Sequence, residues 1–242
     1  MLALIDGDIV VYRVGFTTED VDSTIACLRV QEVVAGILSA VNADSYKIFL
    51  TEDNDPTAFR KRIYPEYKAH RIQPRPKWYK EIRDFLQTTY DAEVCQEIEA
   101  DDALGIEQCK DHPTAGKSVI CSIDKDLKQI PGLHYNFVKQ EHDSRSTLDG
   151  LYYFYTQLLV GDSSDNIKGV WKVGPKKAEV ILEDFGHAAA EKDISFEQEL
   201  FNRVRETYSN DEEMLMNGRV LWIWKEVNDD WKKHWDALST NS

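Results

Sequence analysis

The stretch LALIDGD, residues 2–8, is a short apolar run that stops at an aspartate. The same pattern returns in YKIFLTED (46–53) and in SVICSID (118–124). Short apolar runs that end at polar residues are typical of buried strands. The carboxylates that follow these three runs are Asp6, Asp53 and Asp124.

Helical patterns separate these strand candidates. Apolar residues have helical spacing in 31–41, 78–90 and 102–110, and further strands are expected at 92–95 and 133–138. Asp8 is interpreted as the N-cap of a helix that begins near Ile9. Strands that alternate with helices predict an α/β fold with a mostly parallel central sheet covered by helices on both faces. In such sheets the chemistry lies just beyond the C-terminal ends of the strands.

The total charge is acidic, but its distribution is uneven. The chain has 29 Lys and Arg against 43 Asp and Glu, a net charge of −14. Residues 59–80 nevertheless hold eight Lys and Arg and the single acid Glu66, and residues 168–177 hold four Lys and no acid. Phosphate is repelled by acidic surface and attracted by such basic segments. An acidic protein with two such basic segments can still bind DNA, through those segments.

The cysteines and the apolar runs indicate a soluble intracellular protein. Cys27, Cys95, Cys109 and Cys121 stand far apart, with no C-x-x-C pair, so reduced thiols are expected. No apolar run approaches the ~18 residues that a membrane span needs. We therefore expect a cytoplasmic protein without a membrane partner.

The pattern changes along the chain and suggests two domains. Residues 1–148 read as the α/β core, and from 149 to 242 only helices are expected. Pro56, Pro65, Pro74 and Pro76 interrupt any long helix in the basic region at about 54–77. That region is expected to be a loop or a broken helix that leaves the core, and its length suggests a function.

Five acidic clusters predict a metal site. They are IDGD, TED, EADD, IDKD and GDSSD, with Asp6 and Asp8, Glu52 and Asp53, Glu99 with Asp101 and Asp102, Asp124 and Asp126, and Asp162 and Asp165. Taken singly, each cluster could be a turn or a helix N-cap. Buried together, they need a cation, and oxygen ligands without His or Cys favour Mg²⁺ or Mn²⁺ over zinc.

The segment GDSSDNIKGVWKVGPKKAEVIL, residues 161–182, predicts a helical hairpin. Gly169 and Gly174 flank a tight turn, and Pro175 suits the first turn of a helix. The exposed N–H groups, with Lys176 and Lys177, favour binding of DNA phosphates without base recognition. The alternative is a helix–turn–helix unit that serves packing only.

These motifs, in this order, resemble the structure-specific 5′-nuclease family. They are LIDGD, FRKRIYPEYKAHR, EADD, CSIDKDLKQIP and GDSSDNIKGVWKVGPKKA. The family includes flap endonucleases, the 5′-nuclease domain of bacterial DNA polymerase I and phage 5′→3′ exonucleases, and the phage members are the most similar. The resemblance covers roughly residues 1–185. In the remaining tail, Trp222, Trp224 and Trp231 are expected to pack in a core.

The resemblance implies a PIN-like 5′-nuclease fold with a helical arch at about 54–77 and a helix–hairpin–helix at about 161–185. It implies two Mg²⁺ ions, with Mn²⁺ as a substitute, and a monovalent cation at the hairpin turn. The implied metal ligands are Asp6, Asp53, Glu99, Asp101, Asp102, Asp124, Asp126, Asp162 and Asp165, with Glu52 as a rival to Asp53. Tyr67, Lys68 and Arg71 match the catalytic Y-K-x-x-R of the arch. The implied DNA contacts are Arg60, Lys61, Tyr64, Lys68, Arg71, Gly169, Lys172, Gly174, Lys176 and Lys177.

The function so implied is metal-dependent hydrolysis of DNA that gives 5′-phosphate products. The expected substrates are duplexes with a free 5′ end, nick, gap or 5′-flap, and RNA–DNA hybrids, bound by a monomer. Two alternatives stay open: a catalytically inactive protein that binds branched DNA, and a haloacid-dehalogenase-like phosphatase with Asp6 as nucleophile.

Overall fold

The first apolar run forms β1 (Leu2–Asp6), a central strand of a six-stranded sheet. The computed structural model describes residues 1–71, 74–110, 117–192 and 194–240. The other strands of this sheet are β2 (Ser45–Thr51), β3 (Glu93–Cys95), β4 (Ser118–Cys121), β5 (Gly132–Asn136) and β6 (Glu141–Arg145). Their order is β3-β2-β1-β4-β5-β6; the first five are parallel, and β6 is antiparallel to β5. The predicted α/β fold with a mostly parallel sheet is confirmed.

The helices begin and end close to the predicted patterns, with some additions. They are α1 (Gly7–Thr17), α2 (Ser23–Ala40), α3 (Phe59–Ile63), α4 (Tyr79–Tyr90), α5 (Ala100–Cys109), α6 (Thr147–Val160), α7 (Pro175–Leu182), α8 (Phe185–Lys192), α9 (Phe196–Thr207), α10 (Asp211–Leu221) and α11 (Lys232–Ser239). A 3₁₀ turn covers Asp126–Gln129.

Alternate residues of the buried strands face two different cores, as the period of two in a strand requires. In β1, Ala3 and Ile5 pack with residues of α1, α2 and α4, whereas Leu4 packs with residues of α5 on the other face. The same alternation holds in β2 and β4. Both faces of the sheet are therefore covered, and the chemistry has to lie at a sheet edge.

The chain forms two compact units, and each is interrupted in sequence. The first comprises Met1–Ala58, Gln73–Arg145 and Ile223–Val227. The second comprises Phe59–Ile72, Ser146–Trp222 and Asn228–Ser242. The predicted domains, 1–148 and 149–242, differ from these units in three segments: 59–72 and 146–148 belong to the second unit, and 223–227 belongs to the first.

The second unit is mainly helical, with an antiparallel pair β7 (Gly161–Asp162) and β8 (Ile167–Lys168) between α6 and α7. The rings of Trp222 and Trp231 lie 4.8 and 5.3 Å from the ring of Phe154. All three side chains are buried, and Trp224 is buried within the first unit. The predicted packing role of these tryptophans is confirmed.

Three local expectations are wrong. The N-cap of α1 is Asp6 rather than Asp8, because Asp6 Oδ1 accepts a hydrogen bond from the Ile9 N–H at 3.0 Å. The helices expected from 149 to 242 do not include residue 222, because α10 ends at Leu221 and Trp222 is already extended. Strands also occur beyond 149. The sequence did not predict β7 and β8, because each has only two residues and neither has an apolar pattern.

Helix α2 is longer and more apolar than the sequence expectation allowed. Among the described residues it alone has the length and composition that a membrane span needs. Its residues Ala26, Val30, Val34 and Ile37 are nevertheless buried in the core beside β1. The packing shown therefore accounts for the apolar face of this helix.

Two glycines in helices give opposite expectations for stability. A Cβ at Gly218 would lie 2.0 Å from the ring of Trp231, which is fully buried, whereas a Cβ at Gly36 would meet nothing within 4 Å. We expect Gly218→Ala to destabilise the protein by about 2 kcal/mol through overpacking. Gly36→Ala should stabilise it by about 0.5–1 kcal/mol, because alanine restricts the unfolded chain. Thermal unfolding followed by circular dichroism checks both; equal shifts in the two variants would contradict the packing described.

Candidate active site

The C-terminal ends of the parallel strands meet at one edge of the sheet. The chain proceeds from β1 to β2 and β3 on one side, and then to β4 and β5 on the other. The strand order therefore reverses between β1 and β4, which is where ligands bind in open α/β sheets. Asp6 is the last residue of β1, and Ser122 directly follows β4. The Ser122 hydroxyl donates a hydrogen bond to Asp6 Oδ2 at 2.6 Å.

Asp6 is a buried carboxylate among other carboxylates. Its side chain is only 2% exposed. Burial raises the pKa of Asp6 to about 7; the carboxylates of Asp8 and Asp124 add to this rise, and the hydrogen bonds from Ser122 and Ile9 oppose it. Removal from water and like charges both disfavour the ionised form, so a cation beside it would relieve the cost. The oxygen donors of this group suit a hard divalent ion such as Mg²⁺.

Asp8 ties three elements of the first unit together. Its Oδ2 accepts a hydrogen bond from the Thr51 N–H at 3.1 Å, and its Oδ1 lies 3.2 Å from Arg83 Nη1. Arg83 also donates to the Thr51 carbonyl at 2.8 Å. Burial raises the pKa of Asp8, against the hydrogen bond with Thr51 and the charge of Arg83. This aspartate therefore links α1, β2 and α4, a role that replaces the predicted N-cap.

The carboxylate of Asp53 already has positive and hydroxyl partners. Arg75 holds it through two hydrogen bonds of 2.8 and 3.0 Å, and the Tyr79 hydroxyl donates to it at 2.7 Å. The rival, Glu52, accepts a hydrogen bond from the Asp53 N–H at 3.0 Å. The choice between these two as a metal ligand stays a prediction.

At the start of α5, Asp102 has a structural role. It is fully buried, and its Oδ2 accepts a hydrogen bond from the Glu99 N–H at 3.1 Å. Its Oδ1 accepts one from the Trp224 N–H, also at 3.1 Å. Both oxygens of this expected ligand therefore bind backbone N–H groups. Glu99 itself lies close enough to Asp8 to raise the pKa of that carboxyl.

The loop after β4 is ordered by its own side chains. The Asp124 N–H donates to the Ser122 hydroxyl at 2.9 Å, and the Asp126 N–H donates to Asp124 Oδ1 at 2.8 Å. Ser122 thus joins Asp6 to Asp124, both expected ligands. It was missed in the sequence, although it lies inside the SIDKD stretch.

The carboxylate oxygens of the site suit a divalent metal, but the described side chains do not form a complete coordination site. Within residues 1–71, 74–110, 117–192 and 194–240, no three His, Cys, Asp or Glu side chains form a group that could hold an ion. Mutual repulsion of carboxylates without a cation is a sufficient physical reason for this arrangement.

In the second unit, the GDSSD acids and the Y-K-x-x-R segment lie together. Asp165 forms an ion pair with Arg71, and Lys68 Nζ lies 3.9 Å from its other oxygen. Arg71 Nε also donates to the Ser164 carbonyl at 3.0 Å. Asp162 Oδ1 accepts hydrogen bonds from the N–H and the hydroxyl of Ser164. The acids of GDSSD and the cations of the Y-K-x-x-R segment are therefore in contact, and Lys68 and Arg71 compensate the charge of Asp165.

Other residues of the expected arch are placed differently from the prediction. Within the described part of residues 54–77, the only helix is the five-residue α3. Arg60 is 4% exposed, and its guanidinium donates to the carbonyls of Val220 and Trp222 at 2.8 Å each, so it stabilises the second unit from inside. Tyr67 is also buried, whereas Lys61 is exposed. The hydroxyl of Tyr64 donates to the Asn166 carbonyl at 3.1 Å.

Residues 168–177 form the Lys-rich hairpin, which connects β8 to α7. A Cβ at Gly169 would lie 2.3 Å from the Val160 carbonyl carbon, so packing requires this glycine. A Cβ at Gly174 would meet nothing within 4 Å, so the fold leaves open space there. Lys172, Lys176 and Lys177 are exposed. Sequence reasoning overlooked the tryptophan of this hairpin, Trp171, which is exposed as well.

The fold of this chain is similar to that of solved phage T5 proteins. A phage T5 protein co-crystallised with metal ions has a TM-score of 0.65 at 17% identity, over 91% of this chain and 88% of that chain. A T5 flap endonuclease in a complex with DNA and metal ions has a TM-score of 0.58 at 16% identity, over 99% of this chain and 98% of that chain. These similarities establish the fold.

The family follows from the sequence. Residues 1–152 match the 5′-3′ exonuclease, N-terminal resolvase-like domain, and the chain therefore belongs to the 5′-3′ exonuclease family. It is 29% identical to a 5′-3′ exonuclease of Buchnera aphidicola over 77% of this chain and 71% of that protein. It is 32% identical to the flap endonuclease Xni of Shewanella amazonensis over 55% of this chain and 57% of that protein. The match thus spans little more than half the length of the Shewanella relative.

The contacts of Asp102 separate a structural role from a ligand role. Asp102→Asn places an NH₂ group against a backbone N–H donor, so we expect a loss of about 1–3 kcal/mol in the free energy of unfolding. Asp84→Asn, which changes an exposed acid on α4 of the same unit, is the control and should leave that free energy nearly unchanged. Urea unfolding of both variants measures the difference. Unaltered stability of the Asp102 variant would contradict the structural role.

Proposed function

We propose that this protein is a divalent-metal-dependent 5′-nuclease that hydrolyses phosphodiester bonds of DNA, as a 5′→3′ exonuclease, a 5′-flap endonuclease or both. The observation that carries the proposal is the buried Asp6 carboxylate, joined through Ser122 to Asp124 at the switch point of the sheet. The family supplies the substrate class. Products with a 5′-phosphate are part of the proposal.

The residues proposed to hold two Mg²⁺ or Mn²⁺ ions, directly or through water, are acids that the family resemblance implies. They are Asp6, Glu99, Asp101, Asp124 and Asp126 in the first unit, and Asp162 and Asp165 in the second. When bound, divalent ions supply activation of a water nucleophile and stabilisation of charge on the leaving 3′-oxygen. Asp53 and Asp102 are implied ligands as well, and the hydrogen bonds of Asp102 with backbone N–H groups also give it the structural role described above.

The cations of the second unit would act on the reacting phosphate. Lys68 and Arg71 carry positive charge that can offset the charge on the phosphoryl group in the transition state. Asp165 compensates both of them when DNA is absent. A phosphate that approaches these cations therefore competes with one carboxylate rather than with solvent alone.

Duplex DNA would be held at the Lys-rich hairpin. Its exposed lysines and the open space at Gly174 allow close approach of a phosphate backbone. A monovalent cation at the hairpin turn, use of RNA–DNA hybrids, a monomeric state and a cytoplasmic location are further parts of the proposal.

The two alternatives are less well supported. A phosphatase with Asp6 as nucleophile leaves the lysines of the hairpin and the basic segment 59–80 without a function. An inactive DNA-binding protein has no need of the buried acid group at the sheet edge, and a cleavage assay separates it from a nuclease.

Asp126→Asn should abolish cleavage of a 5′-flap duplex in Mg²⁺, because it removes a proposed metal ligand. The affinity for DNA should stay equal or rise, because a negative charge is lost and no phosphate contact is removed. Single-turnover cleavage and filter binding measure the two effects. Asp20→Asn, an exposed acid on the same unit, is the control and should cleave normally. Normal turnover of the Asp126 variant would exclude Asp126 as a ligand.

The double variant Lys176→Ala/Lys177→Ala should bind duplexes of any sequence more weakly. If each lysine neutralises one phosphate, the slope of log affinity against log salt should fall by roughly 2, at about 0.9 per contact. Cleavage of the saturated complex should change little. Lys232→Ala/Lys233→Ala on α11 removes the same charge elsewhere in the second unit and serves as the control. An identical salt slope in wild type and the hairpin variant would leave the hairpin as a packing unit.

A further inference from the structure

Trp171 is the most exposed large apolar side chain in the described part of the chain, at 83%. Of the other tryptophans, Trp222, Trp224 and Trp231 are buried, and Trp78 and Trp235 are half-buried. An indole that stays in water contributes little to the stability of the fold. Such exposed aromatic side chains commonly mark binding surfaces.

The backbone holds this indole at the apex of a fixed turn. The Val173 N–H donates to the Val170 carbonyl at 3.0 Å, so Trp171 and Lys172 are the two central residues of a hydrogen-bonded turn. Val170 is tied to α6 through the Leu159 carbonyl at 2.9 Å, and Val173 is buried. Lys172 has a φ of +59°, in the left-handed region that favours glycine. The turn is thus anchored on both sides, and its apex offers an aromatic ring and a cation.

The segment around the indole carries only positive charges, while one acid, Glu213 of α10, lines the cavity beside it. Lys168 precedes it, Lys172 follows it with Nζ 5.8 Å from the ring centroid, and Lys176 and Lys177 come at the start of α7. The hairpin contains no acid. Two copies of this positively charged surface would repel each other, whereas a polyanion would be attracted. The charge therefore indicates a polyanionic partner.

We propose that Trp171 contacts DNA directly, with its indole packed against sugar edges in the minor groove of a duplex while the flanking lysines bind phosphates. This inference rests on the proposed function, which supplies DNA as the polyanion. Lysines precede and follow the indole in the hairpin, and a duplex groove is likewise flanked by two rows of phosphates. Apolar side chains inserted in the minor groove are a known mode of duplex binding. Trp171 is a positioning residue for the substrate.

The first test uses fluorescence in metal-free buffer, where cleavage does not occur. The difference in acrylamide quenching between wild type and Trp171→Phe isolates the emission of Trp171. We expect a short blunt duplex to protect this emission from quenching. Protection by single-stranded DNA but not by duplex would overturn the minor-groove contact. Equal protection by vesicles containing anionic lipid would overturn the assignment to DNA.

The second test compares affinities for the same duplex. Trp171→Ala should weaken binding about tenfold, the scale of a buried aromatic contact in an interface, and Trp171→Phe should restore most of the loss. Because the side chain is exposed, both variants should keep the wild-type melting temperature. Val227→Ala, which removes an apolar side chain that is 68% exposed in the first unit, is the matched control and should bind normally.

Different results would overturn the role of Trp171 and the proposed nuclease activity. Normal duplex binding by Trp171→Ala, together with weak binding by Lys176→Ala/Lys177→Ala, would overturn the role of Trp171 and leave the nuclease proposal intact. Absence of flap cleavage by the wild-type protein in Mg²⁺ would overturn the nuclease proposal itself.

Discussion

The charge of Asp6 has to be accommodated where β1 ends, between the two halves of the sheet. Water is almost excluded there, and the neighbouring carboxylates of Asp8 and Asp124 oppose ionisation. The protein offers hydrogen bonds from Ser122 and from the first turn of α1. These donors orient the carboxylate but do not neutralise it. The geometry of β1, β4 and α1 is thereby coupled to a group that favours a bound cation.

The other acids near the sheet edge are balanced by partners of their own. Arg83 compensates the charge of Asp8, and Arg75 compensates that of Asp53. Two backbone N–H groups donate hydrogen bonds to Asp102. Each pairing stabilises the arrangement of helices around the sheet and reduces the number of unbalanced charges. A protein with a net charge of −14 can in this way keep a dense acidic edge without losing its fold.

The sequence predicted the sheet well because buried parallel strands have a strong apolar pattern, as in LALI and SVIC. It missed β6, whose residues EHDSR are mostly exposed and polar, since only pairing with β5 defines that strand. The acids were found by their position after the strands, but their individual roles depend on contacts distant in sequence. Arg60 illustrates the limit: it looked like a DNA contact in a basic segment, yet its partners are carbonyls more than 150 residues away. Trp171 was overlooked because exposure is not visible in a sequence.

The segment Ile223–Val227 returns to the first unit after a long excursion through the second. Ile223 packs in the core beside α5, and its N–H donates a hydrogen bond to the Gln129 side chain. The N–H of the next residue, Trp224, donates a hydrogen bond to Asp102. During synthesis on the ribosome, the unit that carries the acidic edge therefore lacks part of its core until residue 227 has emerged. Truncation of the chain after the sheet would remove this segment too, so a fragment limited to the first 152 residues would be an incomplete fold.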